Sequence, residues 1–228
     1  MSAEDRIERV NTVYDQAVFG GDAGGLADAE RGLDAVEADL ALARGRILHA
    51  RFLTGRAGGG PAPVEDPAEL PWFERAATVY RALGDVRGEA EASFWIGCLH
   101  QVIRRDNAIA VPELERSCRL AEQVGDKTTQ AEALRHLGIA AHMAGRLDEA
   151  RERLEESSRL RRQIGALPGV AANMVGLAYI AAAQDRRADA EATLGEALAI
   201  AQSHRADAIV RQIEQARTEI HAPGVSGS

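Results

Sequence analysis

The sequence predicts an all-α protein in which antiparallel helix pairs stack side by side into an α-solenoid of about eleven helices. The first observation is composition, because the 228 residues include 44 alanines and only nine aromatic residues. Alanine is the best helix former, whereas β-sandwiches and barrels rely on β-branched and aromatic residues. The second observation is a repeat with a period near 40 residues, which is typical of stacked units that each contain one helix pair.

The N-terminal part is expected to contain three helices followed by a loop. Residues 3–19 form an amphipathic pattern, a second helix runs through Leu26 and Val36, and a third covers about 39–54. The segment 55–67 contains three prolines and four glycines, so a loop is predicted there. The register of the third helix stays open because three residues compete for one repeat column: Arg44, Gly45 and His49.

The repeat is clearest in the second helix of each unit. Four columns keep the same kind of residue at offsets 0, 4, 7 and 10, which places them on one face of an α-helix. In chain order the columns are Ala110, Ala150 and Ala190; Leu114, Leu154 and Leu194; Ser117, Ser157 and Ala197; and Leu120, Leu160 and Ile200. Phe73, Ala76 and Val79 align with three of these columns, so 67–83 is predicted to be an earlier second helix.

The first helix of each unit has its own columns, and one of them is glycine. A glycine inside a helix costs about 1 kcal/mol relative to alanine, so Gly97, Gly138 and Gly176 predict that a neighbouring helix approaches closely. Glycines that follow a last apolar residue, such as Gly84 and Gly125, predict helix ends. The other columns are Ser93, Leu134 and Ala172; Ile96, Leu137 and Val175; and His100, Ala141 and Tyr179. The clearest units are 86–125, 127–166 and 168–203.

The C-terminal end of the array is expected to carry a solitary capping helix. This helix covers 205–221, with Ile209, Ile213 and Ala216 facing inward. Residues 222–228 are expected to form a disordered tail, and residues 1–221 a single superhelical domain. Since one helix pair cannot bury its apolar face alone, the pairs must stack, and the concave surface that results is expected to carry the function.

The unit at 127–166 resembles the tetratricopeptide repeat (TPR). Its large and small positions match those of the family at Leu134, Leu137, Gly138, Ala141, Gly145, Ala150, Leu154 and Ser157. The period near 40 and the unit endings of the type Leu-Gly-Asp are similar to arrays in large bacterial regulators of the MalT and AfsR kind. The resemblance covers roughly residues 38–203 and implies a right-handed superhelix with a regulatory or assembly role.

The resemblance also implies that the first helix of each pair lines the concave groove. The candidate groove residues are Glu91, Phe94, Trp95, Cys98 and Gln101; Glu132, Arg135, His136, Ile139, His142 and Met143; and Asn173, Met174, Leu177 and Ile180. Phe94 and Trp95 are typical anchors for a bound peptide or small molecule, and they would also fit the core between repeats. Arg135 and Asn173 are suited to hold a carboxylate, and the alternative is a surface pair between Arg135 and Glu132.

Charge and motif content exclude several classes of function. The net charge of −8 makes nucleic acid an unfavourable partner, and the sequence lacks the apolar run that a membrane span needs. We therefore expect a cytoplasmic protein with no membrane partner. Cys98 and Cys118 lack the spacing of metal ligands and are expected to be reduced structural thiols. No motif for an enzyme, a metal or a cofactor is present, so no cofactor is predicted.

Three functional hypotheses follow, and the first is favoured. The chain is a non-catalytic scaffold that binds a protein or peptide segment in its groove. Alternatively, it is a small-molecule-binding protein or an enzyme whose acid and base groups are the candidate residues His100, His136 and His142 with Glu91 or Glu132. A third hypothesis is a homodimer that forms through the convex face or the terminal helices.

Overall fold

The computed structural model describes residues 2–57 and 63–222, and these residues form ten α-helices and no strand. Contacts divide the chain into two compact units, Met1–Val124 and Gly125–Ser228. The first unit contains α1 (Ala3–Gly20), α2 (Leu26–Ala57), α3 (Glu69–Leu83), α4 (Val86–Val102) and α5 (Asn107–Gln123). The second contains α6 (Lys127–Met143), α7 (Leu147–Gln163), α8 (Leu167–Ala183), α9 (Arg187–Ser203) and α10 (Asp207–His221).

Within each unit, every helix packs against its neighbours in the chain. In the first unit the contacts run from α1 to α5 in sequence order. In the second, α6 to α9 pack in order and α10 packs against both α8 and α9. This arrangement confirms the all-α fold of stacked helix pairs, and the helices of the three predicted repeats form the pairs α4/α5, α6/α7 and α8/α9. The interpretation of residues 1–221 as a single domain stays a prediction.

The number of helices differs from the prediction at the N-terminus. The two helices predicted within residues 26–54 form the single helix α2, because the sequence between them, Glu37-Ala38, contains good helix formers and no breaker. The predicted loop is also shorter, since α2 continues to Ala57. Residues 58–62 of that loop and 223–228 of the predicted tail lie outside the described residues.

The turns between helices depend on one residue in the left-handed conformation. This residue is glycine at Gly84, Gly125, Gly145 and Gly165, with φ between 67° and 74°. Glycine adopts this conformation without steric cost, which confirms the predicted helix ends. The equivalent positions of three other turns carry a side chain at positive φ: Arg105 at 56°, Asp185 at 60° and Arg205 at 53°.

The glycine column marks the places where a second helix approaches the first. A Cβ atom at Gly97 would lie 2.7 Å from Cγ of Leu114, and one at Gly138 would lie 3.0 Å from Cγ of Leu154. Both distances are shorter than ordinary van der Waals contact, so the predicted close approach is confirmed. The open register of the N-terminal repeat is also resolved, because the ring of fully buried Phe73 occupies the space beside Gly45. Gly45 therefore holds the glycine position there.

Candidate functional site

A cavity of about 220 Å³ lies in the second unit, where the first helices of two successive pairs face each other. Helices α6 and α8 supply most of its wall, with single residues from α7 and α10. The lining residues are Arg135, Gly138, Ile139, His142, Leu154, Ala172, Val175, Gly176, Tyr179 and Gln212. Most of these residues are apolar, and four carry polar side chains: Arg135, His142, Tyr179 and Gln212.

The repeat pattern explains why space remains at this point. Gly138 and Gly176 both face the same side chain, that of Leu154. With Ala172 beside them, α6 and α8 present little side-chain volume toward each other. A cavity is left because the surrounding helices are fixed by their own packing and cannot collapse into it.

A buried polar network underlies one wall of the cavity and positions Arg135. Nη1 of Arg135 donates to the carbonyl oxygen of Ala172 at 2.9 Å and to Oδ1 of Asn173 at 3.2 Å. Asn173 is fully buried, and its Nδ2 donates to Oγ of Ser157 at 2.8 Å and to Oγ of Ser158 at 3.2 Å. Because α6, α7 and α8 all take part, the guanidinium group is held in one orientation at the cavity.

Tyr179 of α8 is a second lining residue whose polar group is held in place. Its hydroxyl group donates to Oε2 of Glu219 at 2.6 Å. Burial raises the pKa of Tyr179, and the neighbouring carboxylate raises it further. The hydroxyl therefore stays protonated at neutral pH, while the same hydrogen bond lowers the pKa of Glu219. The wall formed by α8 is thereby linked to the capping helix α10.

The predicted groove residues of the second unit occupy three different environments. Arg135, Ile139 and His142 line the cavity. Met143 is exposed, whereas Glu132, His136 and Leu177 are half-buried and Asn173, Met174 and Ile180 are buried. Oε2 of Glu132 pairs with Nη2 of Arg161 at 2.7 Å, a partner that sequence reasoning did not assign. The structure therefore brings three of the predicted residues together at one space.

The predicted groove residues of the first unit pack into the protein interior. Phe94, Cys98 and Gln101 are buried. Trp95 is half-buried, and its ring centroid lies 5.8 Å from that of Phe73 in a stacked arrangement and 5.1 Å from that of Phe94 edge-on. The aromatic residues that the sequence suggests as anchors thus contribute to the core between α2, α3 and α4, where stacked and edge-on rings pack efficiently.

Glu91 lies at the edge of this aromatic cluster. Its Oε1 accepts hydrogen bonds from Nη1 of Arg46 at 3.2 Å and from Nε1 of Trp95 at 3.5 Å. The guanidinium carbon of Arg46 lies 5.5 Å from the centroid of the Trp95 ring. These contacts attach α4 to α2, so the Glu91 carboxylate contributes to the packing of the first unit.

One group of ionisable residues could not be found by sequence reasoning. Nδ1 of His49 lies 2.8 Å from Oε1 of Glu69, and Nε2 of His49 lies 3.6 Å from Sγ of Cys98. His49 is 3% exposed and Glu69 0% exposed. The three residues come from three helices, so no short spacing could reveal them. Among the described residues no three His, Cys, Asp or Glu side chains are arranged to hold a metal ion. Cys98 is buried and Cys118 is half-buried.

Comparison with known proteins identifies the repeat. The family described as tetratricopeptide repeat matches residues 103–163 and residues 129–203, the region that contains most of the cavity wall. TPR domains generally mediate protein–protein interaction. No curated protein matches the chain in sequence. In the part of the chain that the structure describes, none of the helices combines the length and apolar character needed to cross a membrane.

Proposed function

Because the chain belongs to the tetratricopeptide-repeat family, we propose that it is a non-catalytic scaffold that binds a segment of a partner protein. The cavity of the second unit receives one anchoring side chain of that segment. The observation that supports this proposal is the cavity itself, since its wall consists mainly of first helices, the elements that line the binding groove implied by the family resemblance.

The size of the cavity favours an anchoring side chain over a complete ligand. Sites for drug-sized molecules have volumes of about 300–1,000 Å³, and this cavity measures about 220 Å³. One large side chain needs less space than such a molecule. Binding hot spots in protein interfaces commonly consist of one large residue inserted into a well-packed pocket. The alternative hypothesis of a small-molecule binder or enzyme has less support from this volume.

The chemistry of the wall indicates the kind of segment that fits. Leu154, Val175 and Ile139 provide apolar surface for a Leu, Met or Phe side chain. Arg135 and Gln212 carry N–H donors at the same cavity, and these suit a carbonyl or carboxylate oxygen beside the anchor. The proposed partner segment therefore combines one large apolar residue with a neighbouring hydrogen-bond acceptor.

A matched pair of variants tests the proposal. Peptides selected from a random library on the full chain are expected to share one large apolar residue. The Ile139→Glu substitution puts a charge at the cavity and is expected to raise Kd at least tenfold, or about 1.4 kcal/mol. Ile164→Glu changes an exposed residue of the same unit outside the lining set and should leave Kd within about twofold, well below that tenfold scale.

The thermal unfolding temperature of both variants serves as the control for folding. Peptides whose affinity is the same for the native chain and for Ile139→Glu would contradict the proposed cavity. Selected peptides without a shared apolar residue would contradict the proposed anchor.

A further inference from the structure

Exposed apolar side chains are concentrated on the first two helices. Thirteen large apolar side chains are exposed among the described residues, and nine of them belong to α1 or α2. They are Ile7, Tyr14, Val18, Phe19, Leu26, Leu33, Leu40, Ile47 and Leu53. Scattered single residues of this kind are normal on a protein surface, whereas a concentration on one helical hairpin is typical of an interaction surface.

Four of these residues form a stripe that runs along α2 with a slight slant around the helix. Leu26, Leu33, Leu40 and Ile47 follow one another at intervals of seven and are 40–54% exposed. An apolar residue at every seventh position is one of the two repeating positions that form the seam between paired helices. The stripe is separate from the packed face of α2, which buries Ala38, Ala41, Leu42, Gly45 and His49 against the rest of the first unit.

The charges of α2 are sorted along the helix. Five acidic residues precede Leu40: Asp28, Glu30, Asp34, Glu37 and Asp39. Four arginines follow it: Arg44, Arg46, Arg51 and Arg56. One arginine departs from this order, Arg31, and it forms an ion pair with Asp28. The helix dipole favours such an order in the first and last turns only. In the middle of α2, Glu37 pairs with Arg75 and Arg44 lies over the Trp72 ring, and these contacts to α3 do not require the acidic residues to precede the arginines.

We propose that a second copy of this chain binds to the stripe, with the two α2 helices antiparallel and a twofold axis at Leu40. In this register Leu33 packs against Ile47 of the second copy, and the two Leu40 side chains meet at the axis. On the flank of the stripe, Glu37 lies opposite Arg44 of the second copy and Glu30 opposite Arg51. A parallel pairing in register would place the acidic halves of the two helices against each other, and likewise the two arginine-rich halves.

The helix α1 widens the proposed interface. A Cβ atom at Gly25 would lie 3.2 Å from Cγ2 of Val13, so α1 packs directly beside the N-terminal part of the stripe. Its exposed residues Ile7, Tyr14 and Val18 add apolar area to that of α2. Stable dimers bury about 1,200–2,000 Å² in total, and a hairpin from each copy approaches this range better than one helix does.

The oligomeric state of the full chain tests the proposal. Sedimentation equilibrium at micromolar concentrations is expected to give the mass of a dimer. The double variant L33E/L40E is expected to be a monomer with an unchanged far-ultraviolet circular dichroism spectrum. Ile109→Glu is the matched control, because Ile109 is 46% exposed but belongs to α5, and it should remain a dimer. A native chain that is monomeric throughout, or a dimer that persists in L33E/L40E, would overturn the proposal.

Charge exchange tests the antiparallel register. The variants E37R and R44E each place like charges opposite each other in the dimer, so each is expected to raise the dimer dissociation constant about tenfold. The double variant E37R/R44E restores opposite charges and should return the constant to within about threefold of the native value. Failure of this rescue would overturn the register. Each substitution also removes a contact within the chain, that of Glu37 with Arg75 or that of Arg44 with Trp72. The melting temperatures of the variants serve as the control for this loss.

A cross-link measures the position of the axis. The variant L40C should form a covalent dimer under mild oxidation, because the two introduced thiols meet at the axis. The variant L33C should not, because its two thiols lie on opposite sides of the axis and far from each other. The native chain with Cys98 and Cys118 is the background control. Efficient cross-linking of L33C together with none of L40C would overturn the proposed axis.

Discussion

The two compact units place different residues in the same repeat columns, and their interiors differ accordingly. Arg135, Ile139 and His142 line a cavity in the second unit. The aligned residues of the first unit, Phe94, Cys98 and Gln101, are buried. In the first unit the rings of Phe73 and Trp95 and the His49–Glu69 pair fill the space between helices, whereas in the second Leu154 stands in the column of Phe73 and a cavity remains. The repeat therefore determines which residues face each other, and the volume of their side chains determines whether space remains between the helices.

The largest effect is expected from the buried pair of the first unit. His49→Ala removes the ring that contacts the fully buried Glu69 carboxylate. An ionisable group left buried without its partner costs about 3 kcal/mol or more, so chemical denaturation should show a loss of this size.

A surface pair of the second unit provides the control for that substitution. Glu149→Ala removes the ion pair with Arg146, whose side chains are 42% and 54% exposed, and is expected to cost less than about 1 kcal/mol. Equal losses for the two variants would remove the difference between buried and exposed charge on which the comparison of the units depends.

Glycines inside the helices should respond to an added methyl group according to the space beside them. Gly45→Ala places a methyl group against the ring of Phe73, which has no free space around it. Overpacking of this kind costs about 1–3 kcal/mol, and urea denaturation measures it.

Gly195 in α9 has no atom near its Cβ position. Gly195→Ala should therefore stabilise the chain by up to about 1 kcal/mol through helix propensity, and a loss of stability there would contradict the packing explanation.

The smallest effect concerns the pH dependence of stability and His100 of the first unit. Burial lowers the pKa of His100 from its ordinary value of 6.5, with a further contribution from Arg104. The unfolded chain therefore binds a proton at a higher pH than the folded chain does. The free energy of unfolding should fall as the pH is lowered through 6.5.

The variant His100→Ala, which copies Ala141 of the next repeat, isolates this contribution. Urea denaturation between pH 7.5 and 5.5 should show a shallower decrease for the variant than for the native chain. Identical slopes would mean that His100 is not the group responsible, and its column would then have no part in the pH response.

Much of the fold could be predicted because the repeat columns report local packing. The periodic small and large residues identified the helix pairs, and Gly138 correctly indicated the approach of Leu154. The continuity of α2 could not be predicted from the repeat, because the period implies short paired helices where the chain has one of 32 residues. The pair of His49 and Glu69 joins residues of different helices, and no periodic pattern links them.

The candidate site was harder to predict than the fold. The family resemblance predicts which residues line the groove, and three of them, Arg135, Ile139 and His142, line the cavity. Which members become buried depends on the volume contributed by neighbouring helices. Trp95 shows this, since its surroundings include Phe73 and His49 from two other helices. Such contacts between distant parts of the chain are absent from any short window of sequence.

The three side chains held at positive φ, at Arg105, Asp185 and Arg205, have a consequence for the evolution of the chain. This conformation costs about 1–2 kcal/mol for a residue with a side chain, and glycine avoids that cost. Each of these codons becomes a glycine codon by one base change, so stabilising variants are within immediate reach. Selection commonly holds proteins near a stability threshold and not at an optimum. Substitution of these turn residues by glycine could therefore offset destabilising substitutions acquired elsewhere in the chain, including any that reshape the cavity.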